Sequence, residues 1–174
     1  ITPVLDLTSA SMFAIGNRIG NVDSASDVYT PTGETSNYRN HTAATEDSAT
    51  AIYLTKPVQL ELDATAIKLF LDVHKPPSSE VKALFRTLPV EGEDDIKEIP
   101  FTFFNANGLP DGGIASDATD RYDFREYGYT AGINDAGVGV DLQPFQQFQI
   151  KLVMQATDAA QAPRIMNLRA IALD

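Results

Sequence analysis

His41 and His74 are the only imidazoles in the chain, and cysteine is absent. A nucleophilic triad places an imidazole between a buried acid and a hydroxyl or thiol. His41 lies in a polar stretch and His74 closes an apolar alternation just before Lys75-Pro76-Pro77, so both read as surface or edge histidines. No Gly-x-Ser-x-Gly elbow and no phosphate-cradling glycine loop accompanies them. The missing cysteine removes disulfides, thiolate nucleophiles and zinc–thiolate centres together.

Carboxylates offer a second chemistry. A glycosidase needs only two acids facing each other across a cleft, and Glu91, Glu93, Asp94, Asp95, Asp117, Asp120 and Asp123 are the candidates. With 24 acidic residues in the chain, such clusters are expected as solvated turns. Asn105, Asn107 and Asp111 carry oxygens loosely in the manner of a calcium loop. The bidentate glutamate and regular spacing of that loop are missing, and Asn, Asp and Gly serve equally as turn residues with left-handed backbone. The aromatic residues at 101–104 and 122–129 suit a sugar-stacking platform or, more commonly in a small sandwich, a core. We therefore assign no catalytic, cofactor-binding or metal-ligating residue, and expect a protein that is not an enzyme.

The positioning elements are strands. From Phe148 the chain alternates, with Phe148, Ile150, Leu152 and Met154 on one side and Gln147, Gln149, Lys151 and Gln155 on the other. After a polar loop, Met166, Leu168, Ala170 and Ala172 share one face, and Ile165, Asn167, Arg169, Ile171 and Leu173 the other. The two runs, 145–156 and 163–173, read as an antiparallel hairpin at the sheet centre. Residues 51–62 read as a strand broken at Pro57, which belongs at an edge, bulge or bend, with Val58, Leu60 and Leu62 inward. Ile67, Leu69, Leu71 and Val73 mark another strand.

Residues 80–88 fit helical spacing through Val81, Leu84, Phe85 and Leu88, but so short a helix is marginal alone, and we expect a strand. A short aromatic strand is expected at 99–104 and another at 122–129, with a bulge at Gly128. The whole predicts an all-β protein: a jelly-roll-like antiparallel β-sandwich over 51–174, preceded by an extended polar N-terminal arm over 1–50 with one short strand near Met12–Ile15.

Hydrophobic residues are 43% of the chain and charged ones 21%, ordinary for a globular domain. The net charge of −11 opposes nucleic acid phosphates and anionic lipid. No run approaches the roughly 20 apolar residues that cross a bilayer. The chain opens on Ile1, which leads us to expect a processed chain or a piece of a longer one. The Asn40-His41-Thr42 sequon carries little weight by itself.

Thr2-Pro-Val-Leu-Asp-Leu, Asn17-Arg-Ile, Glu34-Thr and Ala51-Ile-Tyr-Leu-Thr-Lys-Pro-Val-Gln-Leu occur in an order that resembles the tail and baseplate structural proteins of T4-like phages of marine bacteria. Leu69-Phe-Leu-Asp-Val-His-Lys-Pro, Arg86-Thr-Leu-Pro, Phe148-Gln-Ile-Lys, Ala162-Pro-Arg-Ile and Asn167-Leu-Arg-Ala-Ile-Ala-Leu extend the resemblance over most of the chain, leaving 105–140 unmatched. It implies a β-sandwich within a longer virion protein, strand over 81–88, and no enzymatic residues to carry over.

The expected function is thus a structural virion domain mediating protein–protein assembly, put together in the host cytoplasm. Its partners would be other virion subunits in a homo- or hetero-oligomer. The alternative is a carbohydrate-binding, receptor-binding module. The apolar residues Val4, Leu5, Leu7, Met12, Phe13, Ile15 and Ile19 make the arm an expected docking element, laid on the sandwich or on a neighbouring subunit.

Overall fold

The computed structural model of the chain describes residues 12–13, 41–45, 47, 51–92, 95–133, 139–156 and 161–174. In chain order the strands are β1 (Met12–Phe13), β2 (Ile52–Leu54), β3 (Val58–Ala64), β4 (Ala66–His74), β5 (Ser79–Pro89), β6 (Thr102–Phe103), β7 (Arg125–Ala131), β8 (Phe145–Ala156) and β9 (Arg164–Leu173). Two 3₁₀ turns, Ile96–Glu98 and Phe104–Ala106, flank β6.

One sheet runs β1-β9-β4-β7. The other runs β2-β8-β5-β6, with β3 following β2 along the same side of β8. Every pairing is antiparallel. If β2 and β3 are counted as one strand interrupted around Pro57, eight strands wind between two four-stranded sheets in the order of a jelly roll. The predicted jelly-roll-like all-β sandwich holds, and so do strand over 80–88, now inside β5, and the position of Pro57 at a sheet edge, while most of the expected arm over 1–50 lies outside the described residues.

The core lies between the sheets. Ile67, Leu69, Leu71 and Val73 of β4 face Val81, Ala83 and Phe85 of β5 and Phe148, Ile150, Leu152 and Met154 of β8. Apart from Ala83, each such side chain contributes about 1.5–3 kcal/mol on burial. Phe104 stands between Phe85 (ring centroids 4.9 Å apart) and Tyr129 (6.3 Å). Tyr127 and Tyr129 point inward with Ala131.

Four expectations of detail are overturned. The runs 145–156 and 163–173 do not form a hairpin: β8 and β9 are interior strands of opposite sheets, pairing with β5 and β4 respectively. Each has an apolar inner face because each lines the shared core, so periodicity cannot tell a partner strand from a strand across the sandwich. β9 also does not keep one parity. Two residues, Asn167 and Leu168, stand opposite Leu71 in a bulge where Asn167 takes φ 53°. Ile165 therefore points inward before the bulge, and Leu168, Ala170 and Ala172 after it.

Gly128 carries no bulge, since β7 stays in register with β4 from Arg125 to Ala131 and Gly128 lies opposite Phe70. Finally, Leu62 is not inward but 80% exposed, because the β3–β8 register breaks between Gln59 and Ala64.

The sheet edges differ. The free side of β7 is closed by the 104–111 turn, where Asn105 Oδ1 accepts from Thr130 N (2.8 Å) and Gly128 O from Asp111 N (2.9 Å). In that turn Gly108 takes φ 78° and sits where a Cβ would come within 2.7 Å of Phe103. The side of β2 and β3 away from β8 has no strand partner among the described residues.

Candidate functional site

The outward positions of β8 and β5 carry the most concentrated polar chemistry. Gln149, Lys151 and Gln155 of β8 and Arg86 of β5 point away from the core, yet all four are buried. They are roofed by residues 41–45 and 47, the 3₁₀ turn Ile96–Glu98 and Phe101. Lys151 Nζ donates to Asp47 Oδ2 (2.5 Å) and to His41 O (2.7 Å) and lies 4.9 Å from the Phe101 ring centre.

Arg86 donates from Nε (2.8 Å) and Nη2 (2.6 Å) to Gln149 Oε1, and from Nη1 to the carbonyls of Ala44, Lys97 and Ile99. Its guanidinium stacks on Phe101 at 4.4 Å. Burial lowers its pKa, and the charge of Asp95 works in the opposite direction. Thr42 O accepts from Phe101 N, which completes the roof.

His41, expected at the surface, is 3% exposed. Its Nδ1 lies 3.2 Å from Asp47 Oδ2 and its Nε2 3.3 Å from the Gln155 amide nitrogen. A neutral ring with its hydrogen on Nδ1 satisfies both contacts. This is the acid–imidazole half of a triad, but the nitrogen that would activate a nucleophile is occupied by an amide, and the roof shuts out substrate. The arrangement clasps His41 and Asp47 to the sheet. In sequence the cue was Val153 on the polar side of β8 and Leu84 on that of β5, which pack with Phe101 in a second apolar cluster. Apolar residues on both faces of a strand announce that both faces are covered.

His74 is buried as well, at the opposite sheet. Its Nε2 donates to Asp120 O (3.0 Å) and Asp117 O (3.3 Å), while Nδ1 is buried without a partner. The imidazole thereby staples the 116–124 loop, helped by Ser116 Oγ accepting from Lys75 N and by the Tyr127 hydroxyl donating to Ile114 O.

The candidate acids of this loop serve the loop itself. Asp117 accepts from Thr119 N and Oγ1, while Asp123 accepts from Asp117 N and pairs with Arg125. Asp117 is held below the usual carboxylate range chiefly by the Thr119 N–H and Asp123 chiefly by Arg125. Glu91 and Asp95 follow β5 at the other end of the sandwich, and Asp95 caps the 3₁₀ turn at Ile96. Glu93 and Asp94 lie outside the described residues. Among the described residues the candidate acids are not brought together across one cleft.

Asn105 and Asn107 spend their oxygens on the backbone N–H groups of Thr130 and Leu109. Among the described residues no group of three His, Asp or Glu side chains is placed to hold a metal ion. Phe101, Phe104, Tyr127 and Tyr129 are buried. From the two aromatic stretches only Tyr122 is strongly exposed, at 71%.

Two surface features remain. At the His74 end, Arg121 stacks on Tyr122 (4.7 Å), and Arg164 stacks on Phe124 (5.4 Å) and donates to Arg121 O. At the far end, Asp63, Pro89, Glu91, Gln143 and Pro144 line a cleft of about 570 Å³.

Fold and geometry define the class: an antiparallel jelly-roll sandwich whose buried polar groups tie loops and a strap to its sheets. No family model, curated protein or solved structure matches the chain.

Proposed function

We propose that this chain is a structural domain of a phage virion tail or baseplate protein, assembled in the host cytoplasm, whose work is to bind other virion subunits. The observation that supports this reading most is the flank of β2 and β3, which no described strand covers. Tyr53, Leu54, Val58 and Leu62 are exposed there beside backbone groups with no strand partner among the described residues. Edges of this kind are normally blunted, and an apolar one is suited to association. The resemblance to phage tail and baseplate proteins points the same way. A sugar-binding module calls for paired aromatic faces beside a groove, and among the described residues the exposed aromatics Tyr53 and Tyr122 lie on different elements, β2 and the 116–124 loop. On this reading the domain performs no catalysis.

Mass spectrometry and cross-linking of purified phage particles provide the test. The chain is expected among the particle proteins, cross-linked to neighbours through residues 52–62. Its absence from purified particles, or polysaccharide turnover by the isolated chain, would overturn the reading.

A further inference from the structure

The two ends of the sandwich differ in which charges lack an ion-pair partner, although the His74 end also carries Asp117, Asp120 and Asp123 in the loop that holds Arg121. β5 runs eleven residues from the His74 end to the Glu91 end, about 35 Å of strand. At the first end Arg121 and Arg164 have no carboxylate partner among the described residues, although the chain carries 24 acids. They lie close enough that Arg121, after burial itself, lowers the pKa of Arg164. Beside them stand the exposed phenol of Tyr122 and the half-buried ring of Phe124. Arginine and tyrosine together are the composition of interface hot spots, because planar groups bury large areas while losing little rotamer freedom.

At the second end the cleft presents two carboxylates among prolines. Asp63 accepts from Gln146 (2.8 Å), and Glu91 is exposed without a partner among the described residues. A cleft of this size accommodates a few side chains. Guanidinium groups without a carboxylate partner at one end and an unpaired carboxylate in a cleft at the other, both among the described residues, are complementary in charge, but they cannot meet within one molecule.

We propose that copies of this chain associate head to tail, the Arg121–Tyr122–Arg164 corner of one seated against the Asp63–Glu91 cleft of the next. Such an interface is heterologous: every added copy leaves one corner and one cleft free. It therefore builds a closed ring or an open filament rather than a closed dimer. The inference rests on the assembly reading above and names the partner as a second copy.

Sedimentation velocity on the full 174-residue chain, across a concentration series at low and high salt, tests it. The chain is expected to form oligomers that weaken with salt. Arg121→Glu and Glu91→Arg, both at exposed positions, should each weaken association about tenfold while leaving circular dichroism and melting temperature unchanged. An equimolar mixture of the two variants should restore it, since every contact in an alternating array is again complementary. A chain that stays monomeric, a closed two-copy state at saturation, or a mixture that fails to restore association would overturn the proposal. So would an acidic oligosaccharide bound at the corner by a monomeric chain. If the chain is monomeric yet present in purified particles, head-to-tail docking falls while the assembly reading stands.

Discussion

The two outer faces of the sandwich are built from similar alternating strands and meet opposite fates. On the β8–β5 sheet the outward Arg86, Gln149, Lys151 and Gln155 are roofed by the chain itself and buried. On the β9–β4–β7 sheet the outward Arg169 and Glu126 pair in the open, 60% and 54% exposed. The same chemistry, a cation beside a carboxylate, therefore acts in two media. Buried charges cost several kcal/mol each to desolvate and are stable only when fully partnered, whereas exposed pairs are screened and contribute little. Lys151 and Asp47 accordingly behave as one unit with His41 and the carbonyls around them, while Arg169 and Glu126 behave as two separate surface groups.

The sharpest way to break this contrast is to remove one member of the buried pair. Lys151→Ala removes the buried cation paired with Asp47 beneath the roof and should cost about 3–5 kcal/mol in urea unfolding. Lys151→Met, which keeps the bulk, should cost nearly as much. A loss below about 1 kcal/mol for both would mean that water reaches the pair and that the roof is not closed. The companion change on the open face, Arg169→Ala, should cost less than about 1 kcal/mol and lose most of that effect in high salt. A larger or salt-insensitive cost would show that the open face is covered in solution.

Acid titration is the smallest effect. Asp117 and Asp123 hold pKa values depressed by their hydrogen-bond and ion-pair partners. Their contribution to loop order is fully present above the unfolded carboxylate value of roughly 4 and is lost as pH falls through the lower folded values. Hydrogen exchange of the 116–123 amides, after correction for intrinsic rates, should therefore show constant protection from neutral pH to about 5 and lose it below about 4. Protection lost already near pH 6 would show that these two carboxylates do not hold the loop.

Much of the architecture was legible in the sequence, because a strand that lines a core announces itself locally. Ile67, Leu69, Leu71 and Val73, or Phe148 through Met154, follow from a period of two, and the break at Pro57 follows from a missing N–H. Where a one-residue slip intervened, legibility stopped. Asn167 reverses the parity of β9 through a left-handed backbone that no side-chain pattern marks, and the register break in β3 turns Leu62 into water.

What the sequence determined by itself was a set of strand faces: which residues seek a core, which loops turn, and that no cysteine chemistry exists. The tertiary structure alone decided which strand lies beside which. β8 and β9, adjacent in the chain, take opposite sheets, because pairing is settled by the winding of the whole jelly roll rather than by local period. It alone decided, too, that His41 and Lys151, separated by 110 positions, share a buried clasp. Burial of a polar side chain depends on what is laid over it, and a strand carries no record of its roof.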